Sequence, residues 1–181
     1  PRFAVWAGKV VCGMQYEFRG LEVFERLDRE NVRAGIEGSL SRLGVDRIDL
    51  YYAHKDDEAI PLEEALANLD ALKQEGLVHH LAASNYTLGR LAEALAVSDD
   101  AGLARFEAFQ PHFNLLERHE YQGDGERICV REHIGVAPYF TLARGFLTGK
   151  YRPGEDLPAT PRAAVGDVVY ATESVLAVMP A

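Results

Sequence analysis

The chain has 181 residues, of which 48% are hydrophobic and 26% charged, and its formal net charge is −9. These values are ordinary for one globular domain with a substantial core, and they exclude a disordered tail, a collagen-like chain and a disulfide-stapled miniprotein. Most nucleic-acid-binding proteins carry a basic face, whereas this chain is acidic overall, so we expect no nucleic-acid partner.

Nothing in the sequence predicts export or insertion into a membrane. There is no apolar run of about 18 residues, the length that a membrane-spanning helix needs, and the first residues lack the charged-then-apolar layout of a signal peptide. The two cysteines, Cys12 and Cys129, are far apart and form no Cys-x-x-Cys pair. Isolated thiols without a secretion signal favour a cytoplasmic location, and we expect no association with a membrane.

Predicted strands and helices alternate along the chain. Between positions 30 and 43, apolar residues recur in steps of four, four and three, which is the spacing of one helical face, and Gly44 follows as a stop signal. Thr87 is a candidate N-cap for a later helix that Gly102 closes. In chain order the predicted elements are a strand at 3–7, a helix at 30–43, a strand at 48–53, a helix from 60 to 76, a strand at 78–83, a helix from 87 to 102, a strand at 105–110, a helix at 126–133 and a strand at 136–139.

This alternation predicts an α/β fold with a parallel sheet and helical crossovers. Glycines that end the predicted helices fall at positions 44, 76, 102 and 135. Two architectures have this pattern, an open doubly wound sheet and a (β/α)8 barrel, the TIM barrel. Both stay open at this point, and no low-complexity linker divides the chain.

Polar side chains follow the predicted strands at the points where the strands end. In parallel α/β folds the carboxyl ends of the strands meet at one edge of the sheet, and ligands bind there. Five polar strand ends in register therefore predict one common site. The residues are Lys9, His54, Ser84 with Asn85, Gln110 and Tyr139.

The types of these residues indicate what the site could bind. A histidine such as His54 can donate a hydrogen bond to a substrate carbonyl or shuttle a proton, and a buried cation such as Lys9 can shift the pKa of a neighbour. The amides of Asn85 and Gln110 suit a planar amide ligand. Each residue also has an ordinary alternative, as a structural histidine, a surface lysine or an amide that stabilises a loop.

Other chemistries lack their motifs. Residues 145–150 fail the P-loop pattern, no Gly-x-Gly-x-x-Gly follows a strand, and no Gly-x-Ser-x-Gly elbow is present. The histidines show no metal-binding spacing, so we expect no metal. Asp56 and Asp57 could pair as acid and base, but a solvated loop beside His54 is the favoured interpretation. A basic cluster could neutralise a phosphate or form a solvated loop, and it consists of Arg144, Lys150, Arg152 and Arg162.

Four ordered segments resemble the aldo/keto reductase family. They are 39–54, which ends in His54; 83–86, a small residue followed by Ser-Asn and an aromatic residue; 110–118, a Gln-x-x-aromatic-Asn segment; and 142–151, a long-loop signature. The last segment matches the branch that includes potassium-channel β-subunits and many bacterial reductases. The likeness extends over about residues 3 to 162 and implies a (β/α)8 barrel that uses NADPH without a Rossmann domain.

The resemblance implies a role for each matching residue. His54 would orient the substrate carbonyl, and Lys9 would be the lysine of the catalytic tetrad. Tyr139 would stack on the nicotinamide ring. The other cofactor contacts would come from Ser84, Asn85 and Gln110 to the carboxamide, from the backbone of Leu142 and Gly145 to the pyrophosphate, and from Lys150 and Arg162 to the phosphates.

The sequence also departs from the family pattern. The tetrad aspartate and tyrosine have no counterpart in the residues before Lys9, and Tyr16 lies on the wrong side of that lysine. About five to six βα units are present of the eight that a closed barrel has. We therefore expect an incomplete barrel over residues 1–162, followed by a tail, 163–181, that the resemblance does not cover.

The resemblance implies an oxidoreductase that uses NADPH to reduce an aldehyde or ketone to an alcohol, with a small carbonyl compound as substrate. Self-assembly into a homo-oligomer would cover the open edges of an incomplete sheet. Two alternatives stay open. The first is a non-catalytic barrel that binds NADP(H) or regulates a partner, and the second is a structural remnant that binds nothing.

Overall fold

The computed structural model describes residues 26–149, and within that range parallel strands alternate with α-helices. The elements in chain order are α1 (Arg29–Leu43), β1 (Ile48–Ala53), α2 (Leu62–Gln74), β2 (Val78–Ser84), α3 (Leu88–Ala101), β3 (Phe106–Gln110), α4 (Asp124–Arg131) and β4 (Gly135–Val136), followed by a 3-10 helix at Ala143–Thr148.

The order of the strands decides between the two architectures. The described sheet has the order β1-β2-β3-β4, and each strand pairs in parallel with the next one in the sequence. A doubly wound sheet requires a point where the strand order reverses. Consecutive helices also pack against one another, α1 on α2, α2 on α3 and α3 on α4, so they form one layer. Residues 26–149 therefore have the arrangement of a (β/α)8 barrel wall, and the barrel is incomplete in this range.

The hydrophobic core lies between the helix layer and the face of the sheet that the helices cover. Tyr51 of β1 and Leu81 of β2 pair in register, and both are buried. Burying one leucine side chain fully stabilises a fold by about 1.5–3 kcal/mol, so the apolar stripes of the helices hold them against the sheet. The buried stripe of α2 is Leu62, Ala65, Leu66, Leu69 and Leu72, and that of α3 includes Leu91, Ala94 and Leu95.

Capping residues fix the helix ends where the sequence predicts them. Thr87 accepts a hydrogen bond from the backbone N–H of Arg90 at 3.2 Å, as an N-cap does. Gly44 and Gly102 adopt left-handed backbone conformations with φ of 64° and 66° and close α1 and α3. This conformation favours glycine because glycine has no Cβ to clash with the backbone.

The sequence-based expectation for the fourth helix and the strand after it is partly wrong. Gly135 does not end a helix but begins β4, while α4 ends at Arg131 and His133 takes the left-handed conformation, with φ of 56°. Histidine is one of the residues that tolerate this conformation. The predicted strand at 136–139 contributes only Val136 to β4, because the ladder is interrupted at Pro111, which has no N–H to donate back to this segment. Tyr139 still forms an isolated parallel bridge with His112.

Several expectations concern residues outside the described range. The predicted strand at 3–7, Cys12, Tyr16 and the division at residue 162 all lie outside residues 26–149. Within that range, none of the helices is long and apolar enough to cross a membrane.

Candidate functional site

The carboxyl ends of the strands bring most of the predicted site residues together. The register aligns Ala53 of β1 with Ala83 of β2, and Ser84 of β2 with Gln110 of β3. His54, the residue after β1, is therefore level with Ser84 and Gln110. Tyr139 reaches the same edge through its bridge to His112. We call this edge of the sheet the carboxyl edge.

Four side chains at the carboxyl edge form one hydrogen-bonded network, which we call the amide cluster: Ser84, Asn85, Gln110 and Tyr139. Ser84 Oγ lies 3.1 Å from Gln110 Oε1 and 3.2 Å from the Gln110 carbonyl oxygen. Asn85 Nδ2 donates to the carbonyl oxygen of His54 at 2.8 Å and to Ser84 Oγ at 3.3 Å. The Tyr139 hydroxyl donates to Asn85 Oδ1 at 2.9 Å.

The chemistry of the partners fixes the orientation of the Asn85 amide. The His54 carbonyl can only accept, so the Asn85 atom facing it is Nδ2 and the atom facing Tyr139 is Oδ1. Gln110 uses Oε1 for Ser84, which leaves the two N–H groups of Nε2 for other partners. The cluster can therefore donate through Gln110 and accept through the second lone pair of Asn85 Oδ1.

Strained backbone conformations occur at Asn85 and in the loop after Tyr139. Asn85 adopts a left-handed backbone with φ of 55°, and Phe140, Ala143 and Arg144 also have positive φ, between 46° and 55°. Asparagine tolerates this conformation better than most residues. Residues held in such conformations often cluster at ligand-binding sites, where the surrounding contacts maintain them.

The loop that follows His54 is anchored by two aspartates, which corrects the expectation of a solvated loop. Asp57 is buried and accepts hydrogen bonds from the backbone N–H of Leu27 at 2.9 Å and of Ala59 at 3.0 Å. Asp56 forms an ion pair with Arg90 of α3 at 2.7 Å, and this hydrogen bond raises the pKa of the Arg90 guanidinium. The two carboxylates are used for structure, so they do not form an acid–base pair.

Aromatic stacking holds the Tyr139 ring. The ring of His112 stacks on it at a centroid distance of 5.1 Å and an interplanar angle of 13°. His112 is a site residue that the sequence-based prediction does not include, because its spacing to the other histidines excludes only a metal site. A usable signal was its spacing, because His112 follows Gln110 by two positions and so points to the same side of an extended chain.

Tyr52 is a buried tyrosine close to His54 in the sequence. Tyr52 lies in β1, two positions before His54, which directly follows the strand. The period-2 alternation of extended chain therefore puts both residues on the same face. Burial raises the pKa of the Tyr52 hydroxyl. The hydroxyl therefore stays protonated at neutral pH.

The loop after Tyr139 contains the remaining described candidates. Leu142 is 56% exposed, and Gly145 lies in the 3-10 helix, where its N–H donates to the Leu142 carbonyl at 2.8 Å. The guanidinium of Arg144 lies 4.4 Å from the centroid of the Phe140 ring. Backbone contacts from Leu142 and Gly145 to a pyrophosphate stay a prediction. Lys9, Lys150 and Arg162 lie outside residues 26–149.

Two cavities open next to the amide cluster, with volumes of about 530 and 610 Å³. The first has His112 and Tyr139 in its wall and lies beside the start of α3. The second lies between the loops after β1 and β2 and includes Asp56 and Arg90. Asn85 lines both cavities, so its side chain is accessible to a ligand in either. In the part of the chain that the structure describes, no group of histidine, cysteine or acidic side chains is arranged to hold a metal ion.

Comparisons with known proteins identify the family. The model of the aldo/keto reductase family matches residues 18–175. A probable voltage-gated potassium channel subunit beta from Oryza sativa is 30% identical over 139 residues, which cover 77% of this chain and 42% of that protein. Aflatoxin B1 aldehyde reductase member 2 from Mus musculus is 34% identical over 128 residues, covering 70% of this chain and 34% of that protein.

A solved structure extends the match to the fold. The glycerol dehydrogenase from Gluconobacter oxydans has a TM-score of 0.74 and 28% sequence identity, and the match covers 91% of this chain and 50% of that one. This chain therefore spans half or less of the length of these three relatives. Its parallel βα units match those of the relative. The chain belongs to the aldo/keto reductase family.

Proposed function

We propose that this chain contributes the nicotinamide-binding part of an NADPH-dependent oxidoreductase that reduces aldehydes or ketones to alcohols. The observation that carries the proposal is the amide cluster, in which Ser84, Asn85, Gln110 and Tyr139 form one network at the carboxyl edge. Membership of the aldo/keto reductase family supports the reaction class. A small carbonyl compound is the proposed substrate.

The chemistry of the amide cluster fits the nicotinamide carboxamide. A carboxamide is a planar group with one acceptor oxygen and one donor NH₂. Gln110 Nε2 offers donors for that oxygen, and Asn85 Oδ1 keeps a lone pair for that NH₂. When bound, NADPH supplies the hydride that reduces the carbonyl carbon.

The residues of the chain would orient the substrate and direct its protons. His54 would donate a hydrogen bond to the substrate carbonyl from the end of β1. Tyr139 is not the proton donor to the substrate, because its hydroxyl hydrogen is directed at Asn85 Oδ1. Lys9 keeps its proposed place in the catalytic tetrad, where a cation would lower the pKa of a proton-donating tyrosine.

The preference for NADPH over NADH depends on the basic residues beyond the amide cluster. Lys150 and Arg162 are the proposed partners of the cofactor phosphates, and Leu142 and Gly145 would contact the pyrophosphate through the backbone. A cationic side chain near a phosphate forms strong, charge-assisted hydrogen bonds. Tighter binding of NADPH than of NADH, with the difference removed by Lys150→Ala, is what this assignment predicts.

The experiment that tests the proposed reaction is a turnover assay over a panel of aldehydes and ketones. We expect carbonyl-dependent oxidation of NADPH by the folded chain. His54→Ala should lower the turnover rate by about 100-fold, the lower range of general acid–base contributions, while NADPH affinity stays close to that of the native chain. Saturable NADPH binding without turnover of any carbonyl compound would contradict the reductase assignment.

A second candidate is an NADP(H)-binding regulatory protein without turnover. The observation that favours it is the similarity to the probable potassium channel subunit beta from Oryza sativa, at 30% identity over 139 residues. The same assay separates the two functions, because only a reductase oxidises NADPH when a carbonyl compound is added.

A further inference from the structure

We infer that the Tyr139 hydroxyl is a positioning group. It holds the Asn85 amide in the orientation in which Oδ1 can accept a hydrogen bond from a ligand's carboxamide. The inference rests on the proposed function, because it assumes a nicotinamide at the amide cluster. It concerns the hydroxyl group of Tyr139 and not the stacking of its ring. Tyr139 would act through Asn85 without itself bonding to the carboxamide.

The hydrogen bonds of Asn85 show which end of its amide the Tyr139 hydroxyl holds. Both hydrogens of Nδ2 are used, one on the His54 carbonyl at 2.8 Å and one on Ser84 Oγ at 3.3 Å. Oδ1 accepts from the Tyr139 hydroxyl at 2.9 Å and keeps one lone pair for a ligand. Asn85 is exposed and lines both cavities, so packing does not fix its amide plane. Without the hydroxyl, the position of Oδ1 would be set only indirectly, by the two hydrogen bonds that Nδ2 of the same amide makes.

The Tyr139 ring is itself held in place, so its hydroxyl is delivered at a defined position. His112 stacks on the ring, and His112 Nδ1 lies 3.1 Å from Glu117 Oε2. The backbone N–H of Tyr139 donates to the Pro111 carbonyl at 3.0 Å. The ring is therefore fixed by the loop after β3, independently of the Asn85 contact.

The His112 side chain is in turn held by the backbone of the same loop, through Asn114. Asn114 Oδ1 accepts from the N–H groups of Leu116 and Glu117, both at 2.9 Å. This leaves Asn114 Nδ2 facing His112 Nε2 at 3.4 Å, so Nε2 accepts and Nδ1 carries the hydrogen for Glu117. One chain of contacts thus runs from this loop through His112 and Tyr139 to Asn85.

A double-mutant cycle tests the inference, because it measures whether Tyr139 acts through Asn85. The variants are Tyr139→Phe, which keeps the ring and removes the hydroxyl, and Asn85→Gly, which tolerates the positive φ without strain. Affinities are measured for NADPH and for 2′-phospho-ADP-ribose, which lacks the nicotinamide. Circular dichroism verifies that every variant is folded.

We expect Tyr139→Phe to weaken NADPH binding by about 3- to 10-fold, the effect of one ordinary hydrogen bond. Binding of 2′-phospho-ADP-ribose should be unchanged. In the Asn85→Gly background the same substitution should change NADPH affinity by less than about 2-fold. His112→Phe, which keeps an aromatic ring for stacking, should retain more NADPH affinity than His112→Ala.

Four results would overturn the inference. Equal NADPH affinities of the native chain and Tyr139→Phe would exclude a role of the hydroxyl. An equal loss in both backgrounds would show that Tyr139 acts independently of Asn85. A parallel loss of 2′-phospho-ADP-ribose affinity would indicate a general structural effect. A native chain that binds no NADPH at all would overturn the proposed function together with the inference.

Discussion

Asn85 links the loops and strands of the carboxyl edge through one side chain. It bonds to the His54 carbonyl after β1, to Ser84 at the end of β2 and to Tyr139 after β4. Its backbone is left-handed, with φ of 55°. A Ser-Asn pair after a strand was enough to predict a polar site from the sequence. The bonding partners were not predictable, because they depend on strand register and on one unusual φ.

At the residue scale, Asp57 should be a structural carboxylate. Asp57→Ala leaves the buried backbone N–H of Leu27 without its acceptor and also removes the bond to Ala59. We expect the free energy of unfolding to fall by about 1–3 kcal/mol, measured by urea denaturation. Glu58→Ala, at the exposed neighbouring position, is the matched control and should change it by less than about 0.5 kcal/mol. Equal effects of the two substitutions would contradict the assigned role.

At the scale of the elements, the helix ends follow from local chemistry. Thr87 caps α3, and Gly44 and Gly102 end α1 and α3 as the sequence predicts. Gly135 shows the limit of this reasoning, because the start of β4 is set by pairing with β3 and not by the helix before it. A glycine that begins a strand and a glycine that ends a helix look alike in a sequence.

Alanine substitutions at two glycines of α3, one inside the helix and one at its C-cap, should change the stability of the fold in opposite directions. Gly102→Ala forces a Cβ into a left-handed conformation with φ of 66°, and we expect a loss of about 1 kcal/mol of stability. Gly89 lies inside α3 with a helical backbone and open space around it, so Gly89→Ala should raise stability by about 0.5 kcal/mol. Thermal or urea denaturation measures both effects. The same sign of change for both variants would contradict the capping role of Gly102.

At the scale of the whole molecule, the sequential strand order and the single helix layer place residues 26–149 in a barrel wall. The alternation of strands and helices predicted the parallel sheet, and the polar strand ends predicted where a site would form. The choice between a barrel and a doubly wound sheet needed the strand order, which no local pattern contains. The stack of His112 on Tyr139 also required the register between β3 and β4.

Ionic contacts at the opposite edge of the sheet should make the stability of the fold depend on pH. Burial acts to raise the pKa of Glu107, but hydrogen bonds from Lys73 at 2.7 Å and His80 at 2.6 Å outweigh it and lower the pKa below its usual value. A lowered carboxyl pKa contributes stability above the unfolded pKa, and this is lost as the pH falls through the folded pKa.

Glu107→Gln tests this contribution by comparing urea midpoints at neutral pH and near pH 3. We expect the variant to be less stable than the native chain at neutral pH, with the difference shrinking as Glu107 becomes protonated in acid. Glu58→Gln, at an exposed position, is the control and should show no such pH-dependent difference. A difference that stays constant from neutral to acid pH would contradict the ionic origin of the effect.

A titration of the folded chain with NADPH is the most direct measurement of the central claim, that the amide cluster binds a nicotinamide cofactor. Cofactor fluorescence follows the binding, and Gln110→Ala is titrated in parallel because Gln110 Nε2 is the proposed donor to the carboxamide. The account predicts saturable binding by the native chain and about 10-fold weaker binding by the variant. A folded native chain that does not saturate with NADPH, or a variant that binds as tightly as the native chain, would contradict it.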